Sequence, residues 1–166
     1  TRWFVFRDFY HFVEVKRTIK RLLRAPDDYA LAVYAAGQEL AAQRVRYAEI
    51  TVTPYSLIDA LDQGLTIDLL LEGLEAGRQR VRVELGIELR WVFDIPRNRA
   101  FADYRQGGAY VPGAAERTLE YALLGRDRGV IGLGLGGSEV NAPPEPFAGV
   151  FAEARRHGLK SLPHAG

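Results

Sequence analysis

Along this chain the apolar residues repeat at helical spacing, then at strand spacing, then at helical spacing again, and the exchange recurs through four strands. Residues 9–23 (FYHFVEVKRTIKRLL) carry a helical pattern, and Pro26 bars simple continuation. A second helical stretch covers 27–44 (DDYALAVYAAGQELAAQR), with Asp27 or Asp28 placed to cap it. Residues 45–54 (VRYAEITVTP) are rich in β-branched and aromatic side chains, so they read as a strand ended by Pro54. Residues 66–85 form a third helix, capped by Thr66 and stopped by Gly86. The next strand is 87–96 (IELRWVFDIP). A polar, Gly-containing stretch over 97–111 reads as loop or short helix, and 112–128 as a helix with Pro112 near its start. Residues 129–137 (GVIGLGLGG) read as a buried strand running into a loop. Residues 145–159 form a helix ended by Gly158, and KSLPHAG (160–166) opens one more strand.

The order α α β α β α β α β places a helix between successive strands. Such units close with right-handed crossovers into a parallel sheet, so the class is α/β. Residues 1–166 read as a single domain, with no low-complexity linker. Two architectures satisfy this order: part of a (β/α)8 barrel, or an open doubly wound sheet.

In both, ligands bind beyond the carboxyl ends of the strands. Those ends carry Glu49, Thr51 and Thr53, then Asp94 and Arg97, then Gly134, Gly136, Gly137, Ser138 and Glu139, and finally His164. The run GLGLGG (132–137) contains the spacing GxGxxG. A dinucleotide site needs a helix N-terminus directly after those glycines, to face a pyrophosphate. Here SEVNAPPEP follows, and its prolines block a helix there. The glycines are better explained by close approach of a flat ligand or of a neighbouring strand end. His164, flanked by Pro163 and Ala165, has the chemistry of a metal ligand with room around it; the plainer reading is a structural histidine. His11 and His157 fall in helical patterns and read as surface or helix-end residues.

Composition removes several classes. The 22 basic and 21 acidic residues leave a net charge of +1, and the arginines are interleaved with glutamates. No basic stripe is present to grip nucleic acid or an anionic membrane. The chain has no cysteine, which excludes disulfides and thiolate metal sites and fits a reducing, cytoplasmic setting. No apolar run approaches the roughly 20 residues that span a bilayer.

The run GVIGLGLGGSEVNAPPEPFAGVFAEARRHGLKSLPHAG (129–166) resembles the adenosine deaminase family of metal-dependent aminohydrolases. Members share a strand, a Gly-containing loop ending in an acidic residue, a Pro-rich segment, and a strand ending in HAGE. VRYAEITVTPY (45–55) and ELGIELRWVFDIPR (84–97) are similar to the second and third strands of that family. Ser138 stands where adenosine deaminases commonly have aspartate; with VFDIPR and GLGGSE, this is closer to the aminofutalosine deaminase branch. The resemblance implies a (β/α)8 barrel of which about half is present, incomplete at both ends. It implies one Zn2+ ion with His164 as a ligand, and Gly137 as the backbone N–H that meets a purine ring nitrogen. Glu139, Asp94 and Arg97 are expected on the substrate, the last two from their strand-end position alone. No catalytic group is expected within the chain itself; the proton-shuttling glutamate is expected just after Gly166.

The implied reaction is hydrolytic deamination of a 6-aminopurine nucleoside, adenosine or 6-amino-6-deoxyfutalosine, to the 6-oxo product and ammonia. The partner is then a small molecule. A single histidine cannot hold a catalytic metal, so the segment alone is expected to be inactive and to expose sheet edges. Two other readings stand beside this one: a nucleotide-binding module without catalysis, and a scaffold fragment in which His164 is inert.

Overall fold

A computed structural model describes residues 5–164. The elements follow in the anticipated order: α1 (Phe9–Lys20), α2 (Pro26–Ala42), β1 (Tyr47–Val52), α3 (Pro54–Leu57), α4 (Ile67–Leu85), β2 (Glu88–Pro96), α5 (Gly113–Leu124), β3 (Val130–Gly136), α6 (Ala148–Arg156) and β4 (Lys160–Ser161). The short helix α3 begins at Pro54, where only a strand end was anticipated. Four residues are too few to show a period.

Local chemistry sets the boundaries. Asp8 caps α1 by accepting from the His11 N–H at 2.8 Å. Thr66 caps α4 from Leu69 N–H at 3.3 Å, and Gly86 ends it in the left-handed region at φ 67°. The expectation for α2 needs correction. Its cap is Ala25, with Pro26 at the first helical position, and Asp28 lies inside the first turn. The Asp28 carboxylate reaches back to accept from the N–H groups of Arg24 (2.8 Å) and Ala25 (2.9 Å), which holds its pKa below the usual range. A proline that lacks an N–H loses nothing at that position, so the helix starts earlier than the acidic pair suggested.

The four strands form one parallel sheet in the order β1-β2-β3-β4. A doubly wound sheet reverses its direction of travel at a switch point. This sheet advances one neighbour at a time in chain order, which is the winding of a barrel, and four strands make half of an eight-stranded one. Helix α4 packs on β2, α5 on β2 and β3, and α6 on β3 and β4. Leu89, Trp91, Phe93 and Ile95 of β2 and Leu133 and Leu135 of β3 are buried under this helical layer. Val92 and Asp94 take the other face by strict alternation. Outside α4 lies α2, drawn in by glycines. A β-carbon on Gly77 would come within 2.6 Å of Val33 Cβ, and one on Gly37 within 2.5 Å of Val81 Cγ2.

At the amino ends of the strands Arg78 ties elements together. Its guanidinium meets Glu75 at 2.9 Å and Glu88 at 3.0 Å while only 8% exposed. Gly129, at φ 92°, lies against that side chain just before β3.

Candidate active site at the carboxyl ends of the strands

Strand β3 presents Gly132, Gly134 and Gly136 in alternation, so one of its faces carries no side chains. The reason lies on both flanks. A β-carbon at Gly132 would meet Leu162 Cδ1 at 2.7 Å, and one at Gly134 would meet Asp94 Oδ1 at 2.9 Å. At Gly136 it would meet Asp94 Oδ2 at 2.5 Å and His164 Cδ2 at 2.9 Å. The glycines therefore clear space for side chains arriving from β2 and from the chain after β4. Of the two accounts open for this motif, close approach of neighbouring strands is the one observed. No helix follows Gly137 directly: a single 3-10 turn at Glu145–Phe147 precedes α6, so the dinucleotide reading is excluded.

Register makes the juxtaposition. An irregularity beside Val92 leaves Ile131 without a partner, after which Asp94 faces Gly134 and Pro96 faces Gly136. On the far side the pairing continues past β4. Leu162 N–H donates to Leu133 C=O at 2.9 Å, and His164 N–H donates to Leu135 C=O at 3.1 Å. His164 is thus held at the mouth by its backbone, with its imidazole exposed beside Gly136. Ala165 and Gly166, the rest of the HAG run, lie outside the described residues.

Asp94 is 6% exposed, and its Oδ1 has no hydrogen-bond partner in the structure. Burial pushes its carboxyl up to about 6, against the pull of the nearby charges of His164, Lys16, Lys20 and Arg97. The lysines belong to α1, four residues apart on one side of that helix, which brings α1 to the mouth. Burial and the charge of Lys16 draw the Lys20 ammonium down to about 8, while Asp94 works the other way.

Next to this pair lies the loop after β3. Gly137 sits at φ 100°, where an L side chain is strained, and its β-carbon would press Asn98 Oδ1 at 2.9 Å. Arg97 is 4% exposed. Its Nη1 donates to Ala142 C=O at 3.2 Å, and its Nη2 lies 3.4 Å from Glu139 Oε1. The guanidinium braces the loop from behind, with Glu139 exposed in front. Asp94 and His164 thus converge, and Arg97, Gly137 and Glu139 form an adjoining group. Glu49 stands apart on the exposed face of β1, accepting from Tyr47 O–H at 2.7 Å. Sequence reasoning missed Asn98, Lys16 and Lys20. A lysine pair spaced four apart marks one helix side, but nothing in the period says what that side faces.

A zinc-type ion needs about three protein ligands. Among the described residues, no group of three or more His, Cys, Asp or Glu side chains could hold a metal ion. The neighbourhood of His164 fits one ligand position: an exposed imidazole, a glycine floor, and an unpartnered carboxylate oxygen alongside. Among the described residues, no helix is long and apolar enough to cross a membrane.

Comparison with known proteins adds to this geometry. A family model described as adenosine deaminase matches residues 2–166. The chain is 37% identical over 166 residues to the aminodeoxyfutalosine deaminase of Streptomyces avermitilis, covering 99% of this chain and 42% of that protein. It is 33% identical over 161 residues to the adenine deaminase of Rhodospirillum rubrum, covering 97% of this chain and 44% of that one. A zinc-bound amidohydrolase from Burkholderia ambifaria superposes with a TM-score of 0.79 at 25% identity, over 93% of this chain and 39% of that one. The adenine deaminase of Arthrobacter aurescens has the same fold, with a TM-score of 0.80 at 22% identity, over 97% of this chain and 45% of that one. The chain spans less than half the length of each of these proteins.

Proposed function

Since the chain belongs to the adenosine deaminase family, we propose that it forms one arc of a barrel that hydrolytically deaminates a 6-aminopurine, releasing ammonia and leaving the 6-oxo product. The observation that carries this reading is the convergence of His164, the glycine floor and the Gly137 loop at one end of the sheet. Aminodeoxyfutalosine is the first substrate to test, since relatives of that name are 37% and 35% identical to the chain; adenosine and adenine come next.

In this reading His164 supplies one imidazole to a zinc ion whose other ligands lie elsewhere in the barrel. The ion, when bound, supplies water that is acidic enough to ionise near neutrality. The Gly137 N–H donates to a ring nitrogen of the purine, and the missing side chain lets the flat base approach. Glu139 faces the substrate. Arg97, buried and bonded to the Ala142 carbonyl, fixes the loop that presents both. The proton delivered to the ring comes from a carboxylic acid outside the described residues. The near-neutral charge balance supports a small-molecule partner rather than nucleic acid, and the cysteine-free composition supports a cytoplasmic setting.

The test offers all three purines to the zinc-loaded intact protein and follows ammonia release and the absorbance change at the purine. At least one is expected to turn over, and His164→Ala is expected to lose most of the metal and at least a hundredfold in kcat/KM, the upper end of what even an outer-shell loss costs. Three inert purines, or a His164→Ala protein with full metal and full activity, would overturn the reading.

A further inference from the structure

We propose that Asp94 is a positioning residue for His164: its carboxylate accepts the N–H of the imidazole nitrogen turned away from the metal, and Gly134 and Gly136 are glycines so that it can reach. This rests on the reading of His164 as a ligand. A histidine that binds a metal through one ring nitrogen donates from the other, usually to a carboxylate, which fixes the tautomer and the ring plane. His164 has its backbone fixed by the Leu135 carbonyl, and its ring makes no hydrogen bond among the described residues. Asp94 is the carboxylate that the sheet delivers to it.

The two side chains arrive from β2 and from the chain after β4, on either side of β3, and only glycine between them lets them approach. The Gly136 β-carbon position is 2.5 Å from Asp94 Oδ2 and 2.9 Å from the His164 ring, so both groups crowd one point over the bare strand. Asp94 Oδ1, over Gly134, is buried and without a partner, which costs free energy. Oδ2 is the oxygen beside the Gly136 position that the His164 ring also approaches; the carboxylate therefore has acceptor capacity to spare next to that ring. A direct contact with substrate would need accessible oxygens, and Asp94 is 6% exposed.

The register supplies a specific test. Gly134 is the cross-strand partner of Asp94, and a β-carbon there begins 2.9 Å from Oδ1. In an Asp94→Gly background, Gly134→Asp would set a carboxylate into the same volume from the neighbouring strand. Zinc affinity of the intact protein is measured by competition with a chromophoric chelator, and the ligand field by the visible spectrum of the cobalt-substituted form. Asp94→Asn and Asp94→Gly are expected to weaken zinc binding about 10–100-fold and shift the cobalt bands. KM should change little beside kcat. The double variant should recover most of the affinity.

An Asp94→Asn protein with parental zinc affinity and cobalt spectrum overturns the proposal, as does a rise in KM alone, which would make Asp94 a substrate contact. A folded double variant that binds no better than Asp94→Gly removes the role given to the glycines. Because Asp94→Asn is isosteric, a failure of the glycine variant to fold leaves the test intact. Loss of metal in His164→Ala with none in Asp94→Asn overturns this assignment alone; full metal in His164→Ala overturns the functional reading as well.

Discussion

Asp94 bears a cost set by its surroundings. Burial holds its carboxyl at about 6, against an ordinary value of 3.8, so folding favours the protonated form. A group whose folded pKa is raised contributes stability that is fully present below the unfolded value and lost as pH climbs through the folded one. A gap near two pKa units corresponds to about 3 kcal/mol. In metal-free protein Asp94→Asn should therefore be the more stable form at pH 8, by an amount approaching that figure, with the advantage disappearing by pH 4. Urea denaturation across this range gives the answer; a pH-independent difference would show that burial does not set the carboxyl. A variant that gains stability while losing metal would separate service to the site from service to the fold.

At this same scale the sequence was informative about place and silent about company. Counting along each strand puts Asp94, Gly137, Glu139 and His164 at carboxyl ends, where the structure has them. It cannot show that Asp94 and His164 share the surface of Gly136. That depends on the unpaired Ile131 shifting β2 against β3, a one-residue irregularity with no sequence signature. It also cannot show that Arg97 turns inward to the Ala142 carbonyl.

Helices and strands were legible because their periods differ and each exceeds a turn or two. The errors fall at helix starts and in short pieces, as with Ala25 in place of the acidic pair and the four-residue α3. What the period does not reveal is how close two helices stand. Glycines in the middle of α2 and α4 read as weak points in a helix, yet they set the approach between the two. Gly77→Ala should destabilise by about 1–3 kcal/mol through overpacking on Val33. Gly149→Ala, in α6 with open space around it, should stabilise by about 0.5–1 kcal/mol from helix propensity alone. Thermal unfolding of the two variants compares them directly; a neutral Gly77→Ala would mean the helices can part without penalty.

At the scale of the whole molecule, strand order distinguishes a barrel arc from a doubly wound sheet, and periodicity left that choice open. The family resemblance resolved it in advance, and the observed β1-β2-β3-β4 order agrees. Among the described residues, neither the outer edge of β1 nor that of β4 has a strand partner. The other two histidines are engaged elsewhere: His11 Nδ1 accepts from Arg7 N–H at 3.2 Å, and His157 pairs with Glu153 at 2.9 Å. The 166-residue chain produced alone should thus hold no stoichiometric zinc, release no ammonia from any of the three purines, and self-associate through its edges. Equilibrium dialysis and light scattering would register each outcome, and a monodisperse, zinc-loaded chain would contradict it.

The Arg78 knot lies at the amino ends of these strands, whereas His164 and the Gly137 loop lie at their carboxyl ends. The rim that keeps the arc standing is therefore not the rim that meets ligands. Drift toward a new purine can rework the loop after Gly137 without loosening that clasp, and weakening the clasp should lower abundance before it alters substrate choice.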